Sequence, residues 1–272
     1  MVVGNAPYDA PRPSRAFVAF GDPLPPGYLT LADAARPKGF AALSAQLRPL
    51  AGSERRAALT VVHYAVAAVA ETLLVWLLED GVLLDLVPAD VGLCLGKDGA
   101  STSWLRRCPE SADEDAATAA GAVAWRLVGP VADAAAAVGR TPRRGTTLVA
   151  LDALVRAVRR IGDEAGHRPD DEWLGRFAAG TGHPRHDVGR PMRVYPDAGP
   201  PVTVHVPPVC CMLAAAPGPH ACPTCPRYAN DEVRASHVVE MLGGLSDDDF
   251  KTETGRKRVG LAPGQPSNGR GD

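Results

Sequence analysis

Six cysteines occur in this chain of 272 residues, and four of them, Cys210, Cys211, Cys222 and Cys225, fall within sixteen residues as Cys-Cys-x10-Cys-x2-Cys. Cys94 and Cys108 stand far away in sequence. In a reducing compartment, stable disulfides are disfavoured and a local cluster of thiols more often binds metal. Thiolates are soft ligands, and four of them complete either a tetrahedral zinc site or a 2Fe-2S diamond. Structural zinc sites ordinarily use two Cys-x2-4-Cys knuckles, which the adjacent Cys210 and Cys211 do not form. Neighbouring side chains of an extended segment point to opposite faces, so both sulfurs reach one site only through a sharp kink. Two irons leave more geometric freedom than one zinc, and an iron-sulfur cluster is the expected occupant.

The segment CCMLAAAPGPHACPTC, Cys210 to Cys225, resembles the C-terminal signature of FhuF-type ferric siderophore reductases in spacing and in its position late in the chain. The long apolar stretch containing His63 and ending in EDGVLLDL, Glu79 to Leu86, is similar to a helix-Gly-Val-x-x-Asp stretch of the same family. The resemblance implies that Cys210, Cys211, Cys222 and Cys225 all ligate a 2Fe-2S cluster. It also implies that the substrate is a ferric siderophore, expected to be of hydroxamate type.

Pro207, Pro208, Pro217, Pro219, Pro223 and Pro226 surround the cysteines. They stiffen the loops and withhold backbone N–H groups from sulfur, which would keep a reduction potential low. Arg227 and His220 are the candidate contacts for a substrate or a donor protein. They would place positive charge or a polar group near the cluster, unless they are simply solvated. His63 on an apolar helix is expected to be a hydrogen-bonded core residue with Glu71 as its partner. His183 and His186 belong to a surface loop broken by Gly182 and Pro184. Trp76, Trp104, Trp125 and Trp173 are expected to anchor the core, with Trp104 and Trp125 also able to border a substrate site. Cys94 reads as a buried thiol on a strand, and Cys108, beside Arg106 and Arg107, as a more reactive one.

The formal charge of -2 carries no bias toward nucleic acid or anionic lipid. Apolar residues make up 46% of the chain, enough for a substantial core. No phosphate loop, GxGxxG after a strand or GxSxG elbow is found, so an electron must come from an external donor such as a ferredoxin or an NAD(P)H-dependent reductase. The Pro-rich start lacks the pattern of a secretory signal, and the expected location is cytoplasmic. The apolar run Leu59 to Leu78 is long enough to span a bilayer, yet it carries His63 and Glu71. It is expected to be a buried helix and not an integral membrane span.

Ser53 as N-cap and Gly81 as stop predict one helix over 54–79. Runs at Val91–Leu95 and Ser101–Leu105 around an Asp-Gly predict a hairpin. Helices are expected at about 113–128, again from Pro130 to Gly139, at 147–161, 171–178 and 231–242, with strands at 16–20, 192–195 and 202–206. The fold class is therefore α+β, predominantly helical with a small antiparallel β-sheet and a C-terminal cluster-binding loop. Residues 1–28 form a Pro-rich lead-in, 29–206 the body, 207–228 the cluster motif, and 229–272 a helix with a disordered tail. The expected activity is one-electron reduction of a ferric siderophore to release Fe(II). The alternatives are a non-enzymatic electron carrier or iron/redox sensor, and a zinc-bound structural module.

Overall fold

The computed structural model describes residues 18–20, 23–95, 101–106, 110–111, 115–166, 169–183, 189–196, 201–210 and 224–243. Two short helices, α1 (Leu31–Ala34) and α2 (Pro37–Ala51), precede the long central rod. Pro37 supplies the fixed φ suited to a first helical position, and Phe40, Leu43, Leu47 and Ala51 recur on one face that is buried. These two helices have no counterpart among the sequence expectations, because prolines at both ends of α2 mask its periodicity.

The rod itself runs as α3 (Glu54–Val69), a π-turn at Ala70–Leu74 and α4 (Val75–Asp80). It begins and ends where expected. The Ser53 side chain accepts from the Arg56 N–H, and Gly81 closes the helix at φ 70°, a left-handed conformation that glycine adopts without strain. Nearly every residue from Ala57 to Val69 is buried, so the rod forms the centre of the core.

Against it pack α2, α5 (Ala116–Val138) and α6 (Arg143–Ala165), and α7 (Asp171–Gly180) lies on α5. The expected interruption at Gly129-Pro130 is absent, and α5 is continuous through it. Pro130 is exposed, and the buried Leu127, Val128, Val131 and Ala132 on both sides hold the helix together across one missing hydrogen bond. The crossing of α5 and α7 is very close: a Cβ on Gly121 would lie 2.0 Å from the Phe177 carbonyl, and one on Gly180 would lie 1.9 Å from that of Thr118. Glycine is required there for space.

Against the rod lies a four-stranded sheet in the order β1 (Val18–Phe20), β5 (Ser101–Leu105), β4 (Val91–Leu95), β2 (Leu29–Thr30). The β4–β5 hairpin pairs Val91 with Leu105 and Leu95 with Ser101, the arrangement read from the sequence. Among the described strands, only β1 runs parallel to its neighbour. A minor pair, β3 (Leu83–Leu84) with β6 (Glu110–Ser111), follows the rod. Arg126 on α5 fastens that stretch by donating from Nε to the Leu86 carbonyl at 3.0 Å and pairing with Asp85. The last elements are the antiparallel pair β7 (Arg190–Val194) and β8 (Val202–Val206) and the helix α8 (Asp231–Gly243). The chain is thus α+β and predominantly helical.

Candidate metal centre

The hairpin β7–β8 has its own apolar cluster. Met192, Val194, Val202 and Val206 are buried together with Val238 of α8, and Ala235 and Val239 pack against them. The helix therefore lies over the hairpin, and the two together carry two of the described cysteines, Cys210 beyond β8 and Cys225 before α8.

A carboxylate of α6 fastens the hairpin to the helical body. Asp152 on α6 is 2% exposed, and its Oδ1 accepts the Gly189 N–H at 2.7 Å and stands 2.7 Å from His205 Nε2. Its other oxygen faces Arg156 Nε at 3.1 Å. With the carboxylate ionised, and so only accepting, the donor of this contact is the Nε2–H tautomer of His205. A Cβ on Gly189 would fall 2.3 Å from that nitrogen and 2.5 Å from the carboxylate, so the contact needs glycine at this point. From His205 the strand continues through Val206, and Pro207 and Pro208 stiffen the path to Cys210.

Cys225 is placed from the other side, by a turn wrapped around one guanidinium. The Cys225 carbonyl accepts from the Tyr228 N–H at 3.2 Å and from Arg234 Nε at 3.1 Å. Arg234 Nη2 donates to the carbonyls of Pro226 at 3.1 Å and Tyr228 at 2.8 Å, and Nη1 to Asp231 at 2.7 Å. Asp231 in turn takes Nη2 of Arg190 on β7 at 2.6 and 2.7 Å. Arg190 first, then Arg234, holds the Asp231 carboxyl below the usual carboxylate range. Asn230 caps α8 by accepting the Val233 N–H at 3.0 Å, and Tyr228 stacks on His237 at 4.5 Å. Arg234 is 8% exposed.

These two supports bring Cys210 Sγ and Cys225 Sγ to 4.0 Å, both half-buried. A disulfide requires about 2.05 Å, so the thiols are unlinked. Two thiolates of one tetrahedral centre with metal–sulfur bonds of ~2.3 Å lie about 3.8 Å apart, close to the separation here. The donor set and its spacing fit a thiolate-ligated metal group, as zinc or as one iron of a 2Fe-2S cluster. Cys211, Cys222 and His220 lie outside the described residues, as do Cys108 and His186. Among the described residues, no group of three or more His, Cys, Asp and Glu side chains gathers as a metal site. Arg227 is exposed beside the turn, whereas Arg234, which sequence reading passed over, is the guanidinium that touches the Cys225 backbone.

The remaining candidates lie within the helical body. His63 is buried, and burial, with the charges of Arg156 and Arg56, holds its imidazole well below the usual range and therefore neutral. Glu71 does not pair with it: the Glu71 carboxylate, on the π-turn, accepts from the Ser103 hydroxyl of β5. Burial raises the Glu71 carboxyl, against the opposing effects of Ser103 and Arg160. Cys94 is half-buried on β4, more open than expected. Trp76, Trp125 and Trp173 flank the core without being fully buried, Trp125 meets His183 edge-on at 4.8 Å, and Trp104 meets Tyr28 edge-on at 5.8 Å. No family model matches the chain, and no curated protein matches it.

Proposed function

We propose that this chain is a ferric siderophore reductase whose Cys210, Cys211, Cys222 and Cys225 hold a 2Fe-2S cluster. The observation that carries the proposal is the approach of Cys210 and Cys225 to 4.0 Å across fifteen positions of sequence, unlinked and held by separate elements. The spacing Cys-Cys-x10-Cys-x2-Cys supplies the remaining two thiols and the resemblance to the family. When bound, the cluster supplies one-electron transfer at low potential.

The chain's own task is to hold and expose the relay. Hairpin and α8 fix Cys210 and Cys225, and these half-buried sulfurs leave a short path to a partner or chelate at the surface. Exposed Arg227 is the proposed contact for an anionic group on either one. The electron comes from a ferredoxin or an NAD(P)H-dependent reductase and ends on the Fe(III) of the substrate. The resulting Fe(II) is held less tightly by hard hydroxamate oxygens and leaves the chelate.

Anaerobically purified protein should show charge-transfer absorption in the visible and, after dithionite, an EPR signal from a one-electron-reduced cluster. Adding a ferric hydroxamate should restore the oxidised spectrum and yield one trapped Fe(II) per cluster. Colourless protein with stoichiometric zinc overturns the cluster. A reduced cluster that no ferric chelate reoxidises overturns the reductase and leaves the electron carrier or sensor.

A further inference from the structure

We propose that Arg234 is the positioning residue of the cysteine site: it fixes Cys225 through the backbone and raises the reduction potential of the bound cluster by its charge. The tuning half rests on the cluster reading above, and the positioning half does not.

The geometry assigns the role. Three acceptors of one turn, the carbonyls of Cys225, Pro226 and Tyr228, converge on one nearly buried guanidinium. The Tyr228 N–H closes this turn on the Cys225 carbonyl, and Pro226 leaves it no further backbone donor at that position, so the guanidinium supplies the remaining hydrogen bonds. Arginine's rigid fork offers five donors in a plane and can reach several carbonyls together, which a lysine ammonium on a flexible stem does less well. The Nε hydrogen bond goes to the carbonyl of the ligand residue itself, at 3.1 Å, so orientation of the Cys225 side chain follows from the fork.

Charge gives the second consequence. Arg234, Asp231 and Arg190 form a chain of two guanidinium groups sharing one carboxylate, with a net charge of +1 beside a thiolate ligand. A thiolate-bound 2Fe-2S cluster gains one negative charge on reduction, and positive charge nearby favours the reduced form. The prolines around the cysteines lower the potential by withholding N–H donors, and this cationic chain offsets part of that effect.

The test uses the full chain with Arg234→Gln, Arg234→Lys and Asp231→Asn. In metal-free protein, hydrogen exchange of the amides at 227–230 should quicken at least tenfold in R234Q, with partial protection in R234K. Unchanged exchange overturns the positioning role whether or not the wild type binds a cluster. In cluster-loaded protein, R234Q should shift the reduction equilibrium about tenfold toward the oxidised form, ~59 mV for one electron. R234K should stay within about threefold of wild type, and D231N should shift in the opposite direction. Opposite signs for R234Q and D231N are what a purely structural role does not produce. A potential unmoved in R234Q, or lowered in D231N, overturns the tuning role. Should R234Q hold no cluster, the D231N potential decides alone, since that variant keeps both guanidinium groups.

Discussion

Cys210 and Cys225 come together because each is delivered by a different device, two prolines after a strand for one and a guanidinium-bound turn for the other. Replacing either with serine is expected to lower cluster content at least fivefold, read as iron per chain and visible absorbance. Cys94→Ser, distant on β4, should leave both unchanged. The cysteines are legible in the sequence because their chemistry is local and repetitive in type. Arg234 is not, since nothing distinguishes it from any helical arginine until the chain returns over the hairpin. Arg227, which sequence adjacency favours, faces solvent, because the turn directs its own carbonyls inward toward Arg234. The buried ionisable groups carry a pH signature of their own. His63, held neutral, contributes stability above the ordinary imidazole value of 6.5 that is lost as pH falls, by up to about 1.4 kcal/mol per pH unit. Glu71 has the opposite sign: its contribution is full below the ordinary 4.5 and is lost as pH rises through its raised value. Urea denaturation between pH 5 and 8 should therefore show a weaker acid loss in His63→Leu and a stability gain in Glu71→Gln relative to wild type that grows with pH.

The elements follow two different rules. Those with a capping residue and an uninterrupted apolar face, such as the rod from Ser53 to Gly81, were readable almost to the residue, and so were the strands at 91–95, 101–105 and 202–206. Where proline intervened, periodicity misled: Pro130 suggested a break that packing on both sides forbids, and Pro37 with Pro49 hid α2. Backbone proximity decides the α5–α7 crossing, which no pattern of side chains announces. Gly121→Ala is expected to cost about 3 kcal/mol, the upper end of overpacking penalties, seen as a lowered thermal midpoint. Asp152→Ala removes the buried acceptor of Gly189 and His205, a loss of about 1–3 kcal/mol. Proteolysis or hydrogen exchange should show the effect concentrated at 189–206, with α3 and α5 retaining their protection.

At the scale of the whole molecule, the described residues form one large apolar cluster around the rod and a small second one between the hairpin and α8. Glu54–Asp80 and Ala116–Val138 are both long and apolar enough to cross a membrane, yet 72% and 56% of their most apolar windows are buried within the fold. Buried Arg56 and His63 and the carboxylate of Glu71 would face lipid if the rod were inserted. The protein is therefore expected to remain in the supernatant on ultracentrifugation without detergent. Recovery in a carbonate-resistant pellet would assign the rod to the bilayer. The clasp on Cys225 also bears on how the protein is made. All four thiols leave the ribosome before Arg234 does, so each nascent chain passes through an interval in which the ligands exist but the residue that shapes the last of them does not. A chain ended after Tyr228 would keep every cysteine and remain in that interval permanently, with its thiols open to oxidation. Assembly of the metal site is in this sense timed by α8, an element that contributes no ligand.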